Sequence, residues 1–337
     1  MTSTGERTAG LSAQGAVAAA SAVSVEALRS AARALERVAL RTPLLDIPAL
    51  AQRLGVPVAA KCEHLQPVGA FKIRGAYTAI SRIPHEERLR GVITYSSGNH
   101  GQAVAFAAGL LGTHAVVVMP ERAPAIKVAG VKRQGGEVII AGNSSAERFL
   151  MAQAIAQERG LAMVPPYESL DVIAGQGTCG LEILEERPAV DTILVPVGGG
   201  GLIAGIAAAV AAIKPSVRVV GVEPDGAPKL ARALEAGHPV KLEHTQSIAD
   251  GLLPLSIGEL PFSVLTSVVR EAVQVSDSEI AAAVRFLYEE MQLVTEPSGA
   301  ATTAALLAGR VQPTGSTVVV VSGGNVDPEL FHRLVTL

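Results

Sequence analysis

The sequence predicts an α/β protein built on mostly parallel sheets flanked by helices. Short runs rich in β-branched residues alternate with helical patterns along most of the 337 residues. Some runs, such as Val318 to Val321, are apolar at every position, which is typical of strands buried on both faces of a parallel sheet. Several runs end in glycine-rich turns, and open α/β sheets bind ligands at the carboxyl ends of their strands. The functional residues are therefore expected in these turns.

Helices and strands can be assigned in chain order from their patterns. Residues 1–23, rich in alanine, serine and glycine, are expected to form a flexible extension. Ser24 can then cap a helix that runs to about Val38. Further helices are predicted at 102–111 and 203–213, each after a glycine-containing turn, and a closing helix begins at Asp327. Strands are predicted at 56–62, 92–95, 115–119, 138–141, 192–197, 217–222 and 317–321.

The composition excludes several classes of protein. Apolar residues make up 49% of the chain, enough for a large core, and the net charge of −3 predicts no basic surface for nucleic acid or an anionic membrane. Cys62 and Cys179 are too few for a disulfide framework and lie outside any metal-binding spacing. No apolar run approaches the roughly 18 residues of a membrane span, and the N-terminus lacks the basic region of a signal peptide. A soluble, cytoplasmic protein is expected.

Lys72 stands at the junction of a turn and a helix. The chain leaves a predicted strand at Cys62, turns through Gln66 to Gly69 and enters a helical pattern after Phe71. Apolar neighbours and the positive end of a helix both disfavour an ammonium ion, so they lower the pKa of a lysine and make it a better nucleophile. The alternative is an ordinary lysine in the first turn of a surface helix.

The turn Ser96-Ser97-Gly98-Asn99-His100 follows another predicted strand and leads into an alanine-rich helix. Hydroxyls, an amide and a helix N-terminus converge there, and this combination suits a carboxylate or another acceptor oxygen. The alternative is a tight turn that is capped by its own side chains.

Four consecutive glycines, Gly198 to Gly201, end a third predicted strand just before Leu202. Such a run costs conformational entropy on folding, and its usual purpose is close approach of the backbone to an anion. Several N–H groups and the helix dipole then point at a phosphate. Ser322 ends a further buried strand, where its hydroxyl can bond a ring nitrogen or cap the closing helix.

The glycine run also supports a rival interpretation. Gly199-x-Gly201-x-x-Ala204 fits a dinucleotide-binding fingerprint. Glu223 ends the next predicted strand about 20 residues later, where a ribose-binding acid is expected. A nicotinamide-dependent dehydrogenase is thus an alternative, although its fingerprint assigns no role to Lys72.

In combination and in this order, the motifs resemble those of one family, the fold-type II pyridoxal-phosphate enzymes, and specifically the threonine dehydratase and serine racemase branch. The similarity extends from about Leu35 to the C-terminus. The resemblance implies a two-domain α/β fold like that of the tryptophan synthase β subunit, each domain a mostly parallel sheet flanked by helices. The segments that carry it are 66–76, 96–101, 198–201 and 322–325, with 171–178 and 248–251 in support.

The resemblance implies a role for each of these residues. Lys72 would form a Schiff base with pyridoxal 5'-phosphate and later remove the Cα proton of the substrate. Phe71 would pack near the cofactor ring, Asn99 would bond its phenolic oxygen, and Ser322 would face its pyridine nitrogen. The phosphate would be held by backbone N–H groups of Gly198, Gly199, Gly200, Gly201 and Leu202. The substrate carboxylate would be surrounded by Ser96, Ser97, Gly98 and His100, with Arg148 nearby.

The implied activity is that of a threonine/serine ammonia-lyase, which removes the Cα proton, eliminates the β-hydroxyl and releases a 2-oxo acid and ammonia. A serine racemase, or a dehydratase of another β-hydroxy amino acid, is the nearer alternative. Racemisation needs a second acid–base group on the opposite face of the ring, and Ser97 is the candidate. The stretch Leu252 to Leu255 lacks the serine that racemase-like members carry after Asp250, which favours the dehydratase.

The family layout implies a large cofactor-binding domain, 24–90 plus 166–337, and a small mobile domain, 91–165, inserted into it. A homodimer is expected from the resemblance. Because the chain stops at Leu337, directly after the closing helix, no C-terminal regulatory domain and no control by isoleucine are expected.

One departure from the family concerns the divalent-ion site of racemase-like members. Glu223 and Ala227 occupy two of its three positions, but the third position is Lys229. An ammonium ion cannot be a ligand of a hard cation, which prefers oxygen atoms. We therefore expect no metal ion there, with the Lys229 ammonium in its place.

Overall fold

Ten strands form two sheets in the computed structural model, which describes residues 23–96, 98–142 and 144–336. The strands are β1 (Leu44–Asp46), β2 (Val58–Lys61), β3 (Val92–Tyr95), β4 (Ala115–Met119), β5 (Glu137–Ile140), β6 (Ala162–Met163), β7 (Thr192–Pro196), β8 (Arg218–Pro224), β9 (Glu271–Val275) and β10 (Thr317–Val320). The six-stranded sheet has the order β1-β2-β10-β7-β8-β9, and the four-stranded sheet has the order β5-β4-β3-β6. All pairs are parallel except β1 with β2.

Helices connect most of the strands and cover the sheets. They are α1 (Val25–Ala34), α2 (Pro48–Leu54), α3 (Lys72–Arg82), α4 (His85–Leu89), α5 (Asn99–Leu110), α6 (Ala125–Arg133), α7 (Ser145–Arg159), α8 (Leu170–Glu186), α9 (Gly201–Ile213), α10 (Lys229–Ala236), α11 (Glu259–Leu265), α12 (Asp277–Met291), α13 (Pro297–Leu307) and α14 (Pro328–Thr336), with 3-10 turns at Glu63–Leu65 and Asp250–Leu252. Within the described part of the chain, no helix is long and apolar enough to cross a bilayer.

The apolar strands lie where their sequence predicts, in the middle of a sheet with helices on both faces. Along β7, Ile193 and Val195 join the hydrophobic cluster on one face, whereas Leu194 joins the cluster on the other. This alternation is the period of two that a strand imposes on its side chains. All seven predicted strands are present, with ends that differ by at most two residues.

Three strands were not predicted: β1, β6 and β9. Each lies at an edge of its sheet, and β6 has only two residues. An edge strand is covered less completely than a central one, so its sequence lacks the continuous apolar run of β4 or β10.

Helix α1 begins as predicted and ends early. The Ser24 hydroxyl accepts a hydrogen bond from the Ala27 N–H at 3.2 Å, which caps the helix. The prediction that it runs to about Val38 is wrong, because the helix ends at Ala34 and Arg37 adopts a left-handed conformation with φ +65°. Of the predicted extension only Val23 lies within the described residues, and Val23 is buried.

The four strands of the smaller sheet lie within the range predicted for the small domain. Helix α3 packs against α5 from that range and also against α8 of the predicted large domain. The division into two domains and the mobility of the smaller one stay predictions.

Candidate active site

The turns that were singled out in the sequence meet around one cavity of about 590 Å³. It lies at the carboxyl ends of β3, β7 and β10, where ligands bind in open α/β sheets. Ser97 lies outside the described residues. The other predicted site residues that line the cavity are Phe71, Lys72, Ser96, Gly98, Asn99, His100, Arg148, Gly198, Gly199, Gly200, Gly201, Leu202 and Ser322.

The glycine run forms the turn from β7 into α9, and its geometry accepts no side chain. Gly200 has φ +96°, a left-handed conformation that residues other than glycine rarely adopt. A Cβ atom on Gly199 would lie 2.1 Å from the ring of Tyr167. The absence of side chains therefore brings bare backbone to the cavity wall.

The backbone N–H groups of residues 198–202 are the next feature of this turn. None of them donates a hydrogen bond to any group in the described part of the chain. They stand at the N-terminus of a buried 13-residue helix, whose dipole adds positive potential. Several free donors at such a place form a site for a phosphate or a similar anion.

Lys72 is the first residue of α3, and its amine faces the cavity. Its Nζ donates to the carbonyl oxygen of Pro166 at 2.8 Å and lies 5.1 Å from the centre of the Phe71 ring. Loss of hydration around the amine lowers the pKa of Lys72 to about 8. Its place and its lowered pKa agree with the sequence, and its role as the reactive lysine stays a prediction.

Ser322 lies on the same wall of the cavity as the loop before Lys72. The Phe71 N–H donates to the Ser322 carbonyl oxygen at 3.1 Å, and Ala70 pairs with Gly323 as an isolated β-bridge. These bonds tie the turn after β10 to the start of α3. Ser322 is almost fully buried, so a hydrogen bond from its hydroxyl to a ligand would be shielded from water.

His100 is buried in the first turn of α5, close to Lys72. Its Nε2 lies 3.1 Å from the carbonyl oxygen of Val164, and burial together with the charge of Lys72 lowers the pKa of His100 to about 3. The imidazole is therefore neutral at physiological pH. In the same turn the Gly98 N–H donates to the Ser96 hydroxyl at 3.1 Å.

Arg148 comes from α7, on the side of the cavity that belongs to the smaller sheet. Its side chain is largely buried, and Nη2 donates to the Ser145 hydroxyl at 3.0 Å. The structure thus places a guanidinium in the cavity lining together with Ser96, Gly98, Asn99 and His100.

Further polar residues of the cavity were not predicted as site residues. Asn99 Nδ2 donates to Glu296 Oε1 at 2.5 Å, and Lys127 Nζ lies 2.5 Å from Asp250 Oδ2. No role follows for Glu296 from the motifs singled out in the sequence. A signal was present, because glutamate is not among the residues that commonly cap a helix and Glu296 stands at the cap position of α13.

Lys229 makes the contacts that its position in the sequence suggests. Its Nζ lies 3.2 Å from Glu223 Oε1, and it donates to the carbonyl oxygens of Ala227 at 3.1 Å and Leu252 at 3.0 Å. Burial lowers the pKa of Lys229, and the charge of Glu223 acts in the opposite direction. An ammonium ion thus lies among three oxygen atoms, and the absence of metal binding there stays a prediction.

The same contacts argue against the dinucleotide-binding interpretation. Glu223 is fully buried, and its two oxygens accept hydrogen bonds from the backbone N–H groups of Leu230 and Ala231 as well as from Lys229. It does not line the cavity. Its carboxylate is therefore not placed to bind a ribose hydroxyl.

Comparison with known proteins identifies relatives along nearly the whole chain. The family model described as "Pyridoxal-phosphate dependent enzyme" matches residues 35–323. The L-threonine ammonia-lyase of Thermotoga maritima is 40% identical over 314 residues, which cover 93% of this chain and 78% of that protein. The L-threo-3-hydroxyaspartate ammonia-lyase of Saccharomyces cerevisiae is 39% identical over 297 residues, covering 88% and 91%. Among solved structures, maize serine racemase superposes with a TM-score of 0.89 at 39% identity, covering 93% and 96%.

Proposed function

The chain belongs to the pyridoxal-phosphate-dependent enzymes, and from this premise we propose that it is an ammonia-lyase that converts L-threonine and L-serine into 2-oxo acids and ammonia. The observation that carries the proposal is Lys72, an amine of lowered pKa that shares one cavity with a loop of free N–H donors. The similarity to an L-threonine ammonia-lyase supports the choice of substrate.

The cavity fits the cofactor of this family. Lys72 supplies an amine for the aldehyde of pyridoxal 5'-phosphate, and the N–H groups of 198–202 supply donors for its phosphate. The ring of Phe71 offers an apolar wall. Ser322 and Asn99 bring a hydroxyl and an amide to the cavity, which suit the nitrogen and the phenolic oxygen of the ring.

Lys72 is the base in the proposed reaction. Pyridoxal phosphate held by these residues would supply an electron sink, which would make the Cα proton of the substrate acidic. The Lys72 amine accepts that proton, and its lowered pKa means that a useful fraction of free amine exists near neutral pH. The β-hydroxyl leaves as water, and the proton removed from Cα balances the one that the hydroxyl takes up. Water later cleaves the carbon–nitrogen bond, so that L-threonine becomes 2-oxobutanoate and ammonia.

The turn 96–100 is assigned to the substrate carboxylate. It offers the hydroxyl of Ser96 and the N-terminus of α5, and the neutral imidazole of His100, whose Nε2–H donates to the Val164 carbonyl oxygen, lies beside them without a charge. Arg148 adds a permanent positive charge to the cavity. The carboxylate of an amino acid bound there would hold the Cα near the base.

A lyase of another β-hydroxy amino acid, or a serine racemase, is the second candidate. It is favoured by relatives with these names, whose identity to this chain equals that of the threonine enzyme within one percentage point. The products separate the candidates, because a lyase releases ammonia and a racemase inverts the configuration at Cα.

The test is an absorption spectrum of the purified protein before and after addition of L-threonine. We expect a band in the violet region that changes on addition, followed by 2-oxobutanoate and ammonia in equal amounts. The variant Lys72→Ala should lose the covalently bound cofactor and the activity. A changing band without 2-oxo acid from any β-hydroxy amino acid would exclude a lyase, and accumulation of D-serine would then identify a racemase.

We also propose a cytoplasmic homodimer. The support for both is the similarity of the chain to the ammonia-lyases of the family. Analytical ultracentrifugation of the purified protein decides the assembly, since a monomeric mass at micromolar concentration would contradict it.

A further inference from the structure

Glu296 points into the cavity instead of capping its own helix. It stands at the N-terminal boundary of α13 with an extended backbone, φ −76° and ψ 156°, and its side chain makes no capping bond. Only 2% of the residue is exposed. Burial of a carboxylate costs free energy unless the group is paired or hydrogen-bonded, so Glu296 must interact with something other than the helix that follows it.

Only one of the two carboxylate oxygens of Glu296 accepts a hydrogen bond from the described residues. Oε1 accepts the 2.5 Å hydrogen bond from Asn99 Nδ2. Oε2 has no hydrogen-bond donor among the described residues, and its nearest charged neighbour is Lys127 Nζ at 3.6 Å. The Lys127 ammonium is therefore the counter-charge of this oxygen, while Asn99 is the hydrogen-bond donor to the other.

A second amide fixes the orientation of Asn99. Asn325 Nδ2 donates to Asn99 Oδ1 at 2.9 Å and to the carbonyl oxygen of Val68 at 2.8 Å. Because Asn99 Oδ1 must accept from Asn325, Asn99 Nδ2 must face Glu296. An amide nitrogen carries two N–H bonds, so one remains for a ligand.

The charged groups that face Glu296 are Lys127 from α6 and Asp250 from the turn 250–252. Burial raises the pKa of Glu296, the Lys127 ammonium acts to lower it, and Asp250 acts to raise it further. The pKa of Lys127 is itself raised, since the charges of Glu296 and Asp250 outweigh its burial. The ammonium is thus present at every physiological pH, and it favours an ionised carboxylate beside it.

We propose that Glu296 is a positioning residue with two effects: it holds the Asn99 amide toward the cavity, and it presents a negative charge to the bound cofactor. That charge stabilises the protonated form of the cofactor and so raises the pH at which its visible band titrates. The inference rests on the proposed function only in that the cavity holds pyridoxal 5'-phosphate.

The test is a pH titration of the visible band in the holoenzyme of Glu296→Gln, with no substrate present. Glutamine has nearly the same shape but no charge. We expect the titration midpoint to fall by about one pH unit or more, the size of effect that a nearby charge has on a titrating group. The matched control is Glu279→Gln, which removes a carboxylate that lies outside the cavity and pairs with Arg310, and it should leave the midpoint unchanged.

The outcomes separate this inference from the proposed function. A wild-type protein without a visible band after addition of pyridoxal phosphate would contradict the cofactor assignment itself. A normal wild-type band with the same midpoint in Glu296→Gln would overturn the inference alone. If Glu296→Gln does not retain the cofactor, Glu296→Asp decides: retention by aspartate supports the need for a charge, and loss in both variants leaves Glu296 a structural role and overturns the proposal.

Discussion

The Lys229 ammonium lies 3.2 Å from Glu223 Oε1, and both side chains are completely buried. The remaining contacts of the ammonium are carbonyl oxygens, one of which belongs to Leu252 in the turn that lines the cavity. A single lysine thus joins the end of β8 to one wall of the candidate active site. Each of these two charges is stabilised by the other, because neither side chain is in contact with water.

We expect Lys229→Met to lower the free energy of unfolding by about 3–5 kcal/mol, since it leaves the Glu223 carboxylate buried without its counter-charge. Urea unfolding of the holoenzyme measures the change. The control is Lys241→Met, which removes an exposed lysine and should change the stability by no more than about 0.5 kcal/mol. Equal effects of the two substitutions would contradict the structural role of Lys229.

The same site predicts a response to divalent cations. Magnesium or calcium at low millimolar concentration should not raise the melting temperature of the wild-type protein, because the ammonium already neutralises the oxygen atoms. In Lys229→Asp two carboxylates and two carbonyl oxygens would remain, which is a ligand set that suits calcium. We expect calcium to stabilise that variant. Stabilisation of the wild type that a chelator reverses would show that the ammonium does not replace a metal ion.

The pKa of Lys72 predicts how the apoenzyme takes up its cofactor. Only the neutral amine attacks an aldehyde, and an ordinary lysine, with a pKa of about 10.4, is almost entirely protonated at pH 8. Because burial lowers the pKa of Lys72 to about 8, the rate of appearance of the visible band should rise from pH 6 and level off above pH 8 to 9. A rate that still rises tenfold per pH unit above pH 9 would indicate an ordinary lysine.

The glycine run predicts a position-specific effect on cofactor affinity. In Gly199→Ala the new methyl group would meet the Tyr167 ring at 2.1 Å, so the loop must shift and its N–H groups lose their arrangement. We expect the dissociation constant for pyridoxal phosphate to rise at least about tenfold, which corresponds to 1.4 kcal/mol. Gly109→Ala is the control, because a Cβ atom on this helical glycine meets nothing within 4 Å. Equal affinities in both variants would contradict the assignment of the loop.

Two arginine–carboxylate pairs predict very different contributions to stability. Arg74 and Glu63 are buried and joined by hydrogen bonds, whereas Arg82 and Asp171 form an ion pair at the surface. Arg74→Met should cost about 3–5 kcal/mol of unfolding free energy, and Arg82→Met no more than about 1 kcal/mol. Urea unfolding compares them directly.

The buried pair of Arg74 and Glu63 should also affect the stability of the protein at acidic pH. Burial acts to raise the pKa of Glu63, but the charge and hydrogen bonds of Arg74 outweigh it, and the net pKa is lowered. A lowered acid pKa stabilises the folded state above its unfolded value near 4.5, and the stabilisation is lost as the pH falls through the folded value. Arg74→Met should therefore unfold at a higher pH than Arg82→Met. Identical acid transitions would show that the buried pair contributes nothing.

The features that the sequence predicted well are local. Continuous apolar runs in the sequence identify the central strands. The glycine run predicts an anion site from four adjacent residues alone, without reference to distant parts of the chain. The sequence also located Lys72, since its apolar neighbours and the helix start are adjacent along the chain. Edge strands such as β9 were not predicted, because they are only partly buried and their sequences therefore mix polar and apolar residues.

By itself the sequence determined the α/β class and the order of the central strands along the chain, and it singled out Lys72 and the glycine run as candidate site residues. Only the tertiary structure decided which polar groups meet around them. Asn99 and Glu296 are 197 positions apart, and Lys127 and Asp250 are 123 apart. Their charges and hydrogen bonds act over a few ångströms, and no spacing along the chain encodes such a contact, because it arises only when the sheets and their loops have packed.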